Sequence, residues 1–396
     1  MFRAFPSAAV LAAATLGLVG CQNAVPSDKA NAPAAQRSVG EFTTTTALPF
    51  RLEKHVAIDS PWAMAFVPDG HALITTRPGK LLLWRDGSAP IEVAGVPTVH
   101  YEEQGGMGDI KLAPDFAASS AIYLTYVEPV GSLTRAALAK ARLDLTNPAK
   151  PTLRNLQVIW RQSEPHEQPY HFSHRITFSP DQKFIFLTSG ERNEKQPAQN
   201  VASNLGKVLR LQRDGTPAPD NPFTGFGGDS AQVWSYGHRN LLGIAFADDG
   251  RLWEIEMGPS GGDELNLIER ATNYGWPLVS QGDNYDGVPI PRHETRPDLR
   301  APQLFWAPSV NPSSLHIYHG KALPDWRGKA LVGALGGQSI MLVDLSGEQA
   351  RLLYRWQIDW RVRGFAEDPA GNLWVIEDEA AGGIHLLTRT AGGAKP

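Results

Sequence analysis

The stretch RITFSPDQKFIFLTSG, Arg175 to Gly190, decides the fold. Two runs of alternating apolar residues flank a Pro180-Asp181 turn. Period-two alternation marks a strand, and Pro-Asp between two such runs marks a hairpin. The same unit recurs along the chain. It reads MAFVPDGHALITTR from Met64 to Arg77, DIKLAPDFAASSAIYLTYV from Asp109 and GIAFADDGRLWEIEMG from Gly243. A less regular copy, SLHIYHGKALPDWRGKALVGAL, starts at Ser314, and RGFAEDPAGNLWVIED starts at Arg363. The copies lie roughly 45 to 70 residues apart, the repeat range of propeller blades. Six copies predict an all-β, six-bladed β-propeller around a central channel. A β-sandwich with irregular hairpins needs no self-similar units. Leu133 to Leu145 suits either a helix or a strand pair. Glu164 to Phe172 and Asn193 to Asn204 read as loops on one face, where function usually resides.

Composition agrees. The 396 residues include 38 Gly and 31 Pro, too many breakers for long helical bundles or coiled coils. One Cys excludes a disulfide scaffold and a Cys-ligated structural zinc site. A net charge of -4 does not suggest a nucleic-acid partner. Eleven Trp, 15 Phe and 9 Tyr are too many aromatics for a wholly disordered chain.

The single Cys sits at the N-terminal leader. Residues 1–20 carry Arg3 and then a small or apolar run from Ala8 to Val19, too short to span a bilayer. This suits a secretory signal. Leu18-Val19-Gly20-Cys21 resembles a bacterial lipobox, which implies that Cys21 is lipidated and begins the mature protein. An ordinary secretory signal with an incidental Cys is the alternative. Gln22 follows rather than Asp, so the expected location is the periplasm of a Gram-negative bacterium, at the outer membrane through the lipid alone. Residues 21–48 read as a flexible Ala/Pro/Ser/Thr tether and 49–390 as the propeller.

Phosphate-loop, nucleophile-elbow and dinucleotide-binding motifs are missing. His166-Glu167 with His171 has the wrong spacing for a zincin, and Pro169 interrupts any helix. Four clusters remain. In Tyr170-His171-Phe172-Ser173-His174-Arg175, an imidazole can act as a general base. If this segment is extended, alternation lets only one of the two His face a given pocket. In Tyr236-Gly237-His238-Arg239-Asn240, Arg and Asn offer donors for carboxylates or quinone oxygens. Arg361 and Arg363, two apart, share one strand face. Met257-Gly258-Pro259 through Asp263-Glu264, then Asn273-Tyr274-Gly275-Trp276-Pro277, combines exposed carbonyls with carboxylates, a set that suits Ca²⁺. Each also has a plain structural reading: a core His, solvated Arg or an acidic turn.

These motifs, with Gln104-Gly105-Gly106-Met107-Gly108 and Pro180-Asp181-Gln182, in this order on six repeats, resemble the PQQ-dependent soluble aldose sugar dehydrogenases, relatives of soluble glucose dehydrogenase. The likeness covers roughly Pro61 to Leu387. It implies oxidation of an aldose at C1 to the lactone, with hydride passing to pyrroloquinoline quinone (PQQ) and electrons then to an external acceptor. His171 matches the base. Gln104, Arg239, Asn240, Tyr285, Arg361 and Arg363 match cofactor-binding positions. Gly258 and Pro259 match ligands of the Ca²⁺ that polarises the cofactor, and Glu264 and Tyr274 match a further Ca²⁺ site, with Asp263 placed to assist. Two positions depart from the family: Gly336 stands where a Lys is usual, and His174 replaces a Gly. A missing Lys leaves Lys321, Lys329 or a water to compensate. Rival readings are a Ca²⁺-dependent sugar lactonase, which needs no Arg cluster, and a non-catalytic propeller binding protein or glycan, which needs no His171.

Overall fold

The computed structural model describes residues 48–390, whose strands form six antiparallel sheets of four strands each. The leader, Cys21 and the tether up to Ala47 lie outside the described residues. Each sequence repeat is the inner hairpin of one blade. The innermost strands, Pro61–Phe66, Met107–Leu112, Ser173–Phe178, Asn240–Phe246, Pro312–Ile317 and Val362–Glu367, neighbour one another in ring order and line the channel. The hairpin turns need one left-handed residue. Gly70, Gly250 and Gly371 supply it in three blades, and Gln182 adopts φ 62° in another.

Among the described residues, helix is confined to Phe116–Ser119 and short 3₁₀ turns. Leu133 to Leu145, open between two readings in sequence, is neither of them. Leu133–Asp144 is a single strand of 12 residues paired along Ala121–Val130. No helix of the described residues is long and apolar enough to cross a membrane.

Apolar residues on alternate strand positions meet between neighbouring sheets, so each of the six blade junctions has its own core cluster. The sixth sheet is composite. Its order runs from Val362–Glu367 through Leu373–Glu377 and Gly382–Arg389 to Phe50–Ile58, so the first strand of the described chain completes the last blade. Phe50 pairs with Arg389, and the Thr390 N–H donates to the Pro49 carbonyl at 3.1 Å.

Every inner strand bulges near its start. The register shifts fall at Pro61/Ala63, Met107/Ile110, Ser173/Ile176, Leu241/Gly243, Pro312/Ser314 and Val362/Gly364. A bulge adds an unpaired residue and re-aims its neighbours. In three blades a Thr on the second strand accepts the N–H freed by the bulge: Thr75 from Ala63, Thr125 from Asp109 and Thr188 from Arg175. The six bulges gather at one end of the channel and turn side chains toward it.

Candidate active site

That end holds a cavity of about 300 Å³. Trp62, His174, Asn240, Leu242 and Arg363 reach it from the starts of the inner strands, and loops add Arg77, Gln104, Asn311 and Arg361. The floor is stitched by Arg175. Its Nε donates to the Leu242 carbonyl and its Nη2 to the Ser313 carbonyl (2.7 Å), while Trp62 stacks on the guanidinium at 3.8 Å. Three inner strands are thereby tied at the point where they bulge.

The expected base, His171, is 6% exposed. It does not lie in an extended segment: φ is 51° at His171, 60° at Ser173 and 56° at His174. Left-handed non-Gly residues are uncommon and cost about 1–3 kcal/mol each. Simple alternation therefore does not apply to this stretch: Phe172, Ser173 and His174 line the cavity, and His171 stands beside it rather than in its wall. The loop is held in this shape by buried Arg192, which donates to the Tyr170 and Thr134 carbonyls and stacks on Phe172 at 3.9 Å.

His171 is fixed at both ends. Its N–H donates to Gln104 Oε1 (2.9 Å), and its Nδ1 lies 2.5 Å from Glu191 Oε1. Glu191 is fully buried and also accepts the Lys195 N–H through Oε2. A carboxylate at Nδ1 places the proton there and leaves the Nε2 lone pair free. Burial lowers the His171 pKa below the ordinary value and Arg239 adds to this, while Glu191 opposes both. The imidazole is thus neutral at neutral pH. Sequence reasoning missed Glu191, because nothing in Glu191-Arg192-Asn193-Glu194 marks one carboxylate above its neighbours.

Arg361 and Arg363 share a face, as their spacing predicts, and both grip Asp378, through Oδ2 and Oδ1 respectively. Burial opposes the Asp378 charge, but Arg363 and Arg361 outweigh it, and the carboxyl titrates below the usual range. Asp378 was likewise not legible in sequence. Two guanidiniums sharing one carboxylate leave a positive cavity wall, to which Arg77 adds. Arg239 stands just outside it. Its Nη1 donates to the Gly258 carbonyl (2.8 Å), its Nη2 to the Tyr285 hydroxyl (3.2 Å), and its buried Nε has no partner. Tyr285 is 77% exposed and meets the site through Arg239 rather than as a wall residue. A tricarboxylate such as PQQ fits this donor set: surplus cations, amides from Gln104 and Asn240, and an unused guanidinium N–H.

Beside Arg239 a pocket of about 10 Å³, room for one ion or water, is lined by Glu256, Gly258, Glu264 and Tyr274. Pro259 is not in its wall. Glu254, Glu256 and Glu264 converge on the Asn266 side-chain amide at 3.2–3.3 Å, while Glu254 Oε1 and Asn266 Oδ1 are buried without partners. Burial, then the nearby Glu256, raises the pKa of Glu254 and of Glu264. Unsatisfied hard oxygen donors in an acidic cluster fit a divalent cation. The Gly258 carbonyl already accepts from Arg239 and would share that contact with an ion. The Tyr274 hydroxyl is spent on the Leu267 carbonyl (2.5 Å), so only its backbone remains a possible ligand. Asp263 anchors the surrounding loops: its Oδ1 accepts from Gly258 and its Oδ2 from Ser309, Val310 and Asn311.

At Gly336 an added Cβ would stand 2.1 Å from Asn311 Oδ1. Asn311, a cavity residue, fills the room a side chain at 336 would use. Lys321 and Lys329 do not reach the wall, and Lys329 Nζ donates instead to the Asp325 carbonyl.

A six-bladed propeller whose channel mouth pairs a neutral, carboxylate-held His with a cation-lined cavity has the architecture of a propeller dehydrogenase. The chain belongs to the glucose/sorbosone dehydrogenase family, whose model matches residues 58–387. It is 36% identical over 334 residues to aldose sugar dehydrogenase YliI of Escherichia coli, spanning 82% of this chain and 89% of that protein. A crystal structure of a glucose dehydrogenase superposes with a TM-score of 0.80 at 36% identity, over 86% of this chain and all of the other. The PQQ-bound aldose sugar dehydrogenase of Streptomyces coelicolor does so with 0.70 at 26%, over 86% and 97%. The protein is an oxidoreductase of the quinoprotein dehydrogenase kind, acting on CH–OH groups.

Proposed function

We propose that the protein oxidises aldose sugars at C1 to the lactone, with PQQ as hydride acceptor, Ca²⁺ polarising it and His171 as general base. The observation that carries this reading is the His171–Glu191 pair beside an arginine-lined cavity. When bound, PQQ supplies the two-electron acceptor for the hydride leaving C1. Loss of that hydride requires the C1 hydroxyl to lose its proton, which His171 Nε2 takes. Glu191 holds Nδ1–H throughout and stabilises the imidazolium that forms. Gln104 fixes the His171 backbone. Arg361, Arg363, Arg239 and Asn240 would hold the cofactor's carboxylates and carbonyls, with the Tyr285 ring against Arg239 at the rim. Glu264, aided by Glu254 and Glu256, would hold one cation, and the carbonyls of Gly258 and Pro259 would hold the cation that polarises the cofactor. An external acceptor collects the electrons.

Apo-protein is expected to reduce an artificial electron acceptor with an aldose only when PQQ and Ca²⁺ are both supplied, and to lose this turnover on chelation. Folded protein that stays inactive across a broad aldose panel would refute the reading.

We also infer that residues 1–20 are removed and that lipidated Cys21 holds the propeller at the periplasmic face of the outer membrane through the 21–48 tether. The Cys21→Ala variant is expected to move from the membrane to the soluble periplasmic fraction. Wild-type protein already soluble there would show that no lipid anchor exists.

A further inference from the structure

His174 is an imidazole in the cavity wall that the mechanism leaves unused. Its backbone and that of Ser173 both hold left-handed φ, a conformation that Gly adopts without strain. Its ring is closely accommodated. A Cβ on Gly108 would lie 2.0 Å from His174 Cε1, so only Gly at 108 admits the imidazole. Trp62 stacks on the ring's face at 5.4 Å, with 23° between the planes. A strained, specifically housed imidazole in the wall of a cofactor cavity points to a function.

The hydrogen bonds settle its state. Thr125 Oγ1 receives the Asp109 N–H (2.7 Å) and lies 2.9 Å from both the His174 carbonyl and His174 Nδ1. One hydroxyl proton cannot serve both. All groups are satisfied when the hydroxyl donates to the carbonyl and Nδ1–H donates to the hydroxyl. Burial, with Arg175 beside it, pushes the imidazole pKa down to about 3, so the ring stays neutral at any working pH. The remaining nitrogen, Nε2, is then a lone-pair acceptor on a ring that lines the cavity.

We propose that His174 is a second residue facing the cofactor, whose Nε2 accepts a hydrogen bond from the reduced, quinol form of PQQ and holds it more tightly than the oxidised form. The inference rests on the PQQ reading above. An oxidised quinone offers only acceptor oxygens, whereas its two-electron reduced form gains O–H donors. An acceptor that cannot be protonated therefore discriminates between the two, and differential affinity for the reduced state makes the bound quinone a stronger oxidant. Arginines bind the carboxylates alike in both states and do not supply this difference.

The test titrates oxidised and chemically reduced PQQ, with Ca²⁺ and without oxygen, into apo-protein and follows intrinsic tryptophan fluorescence. His174→Gly suits the left-handed backbone and relieves its strain. It is expected to lose about tenfold more affinity for the reduced than for the oxidised form, the worth of one net hydrogen bond. That equals a fall of about 30 mV in the two-electron midpoint potential of the bound cofactor. His174→Asn, which tolerates the same φ and keeps an acceptor oxygen, recovers part of the difference. Equal losses for the two forms, or none, would overturn the role of His174 and leave the PQQ reading standing. Wild-type protein that binds neither form would overturn the PQQ reading itself.

Discussion

His171→Ala is expected to lower kcat by about 10²–10⁴-fold while the apo-protein still binds PQQ, because general base catalysis is worth that much. The ring is held by Glu191 and the backbone beneath it by the Gln104 side chain, while the cavity's cationic wall comes from Arg77, Arg361 and Arg363, so the two functions separate. The pH profile gives a second readout. A base works when deprotonated, so kcat/KM rises with pH through the folded pKa of His171. Burial has moved that pKa below the ordinary 6.5, so the acid limb lies below 6.5 and the rate is level at neutral pH. Glu191→Gln removes the group that opposes this fall. Its acid limb shifts to still lower pH, and kcat drops because the amide no longer fixes the Nδ1–H tautomer. Steady-state kinetics from pH 4.5 to 9 would show both. Full activity in His171→Ala would place the base elsewhere.

Phe50→Ala is expected to cost about 3–5 kcal/mol, the usual loss for a buried Phe. With about 2.1 cal/mol/K of unfolding entropy per residue, the melting temperature falls by about 4–7 °C. Phe50 is 2% exposed and sits edge-on between Trp326 and Trp356, at 5.8 and 5.4 Å. Those two rings stack at 5.1 Å in the cluster between the fifth and sixth blades. Removing the ring opens a void where the outermost strand meets that cluster. Circular dichroism melts measure the loss, and the activity per folded molecule stays unchanged because the cavity is remote from Phe50. A melting temperature within 1 °C of wild type would mean that Phe50–Ile58 contributes little to closing the ring.

Inner hairpins were legible because each carries two signals at once, alternation and a turn that demands a left-handed or Pro-Asp corner. Outer strands lack the second signal. Phe50–Ile58 reads FRLEKHVAI, a mixed pattern with exposed and half-buried residues, and its partner lies at the other end of the chain. No local pattern announces such a pairing. The site divides the same way. His171, Arg239, Asn240 and the Arg361/Arg363 pair stand in compact motifs. Glu191 and Asp378 matter only because of what the fold places opposite them. The alternation argument for His171 and His174 does not apply, because three left-handed residues break the extended geometry on which it rests. The wall residues Trp62 and Leu242 were hidden by the bulges, which turn an otherwise ordinary strand position toward the channel mouth.

The composite sixth blade also has a mechanical meaning. Phe50–Ile58 is the first strand of the described chain, and within its sheet it pairs with one neighbour alone, Gly382–Arg389. Were the chain held at Cys21, any pull between anchor and propeller would enter the ring at its non-covalent seam. A load that peels this strand away opens the ring before it disturbs any other blade. In an anchored molecule, one strand and the aromatic ring that wedges it in place would set the drag it withstands.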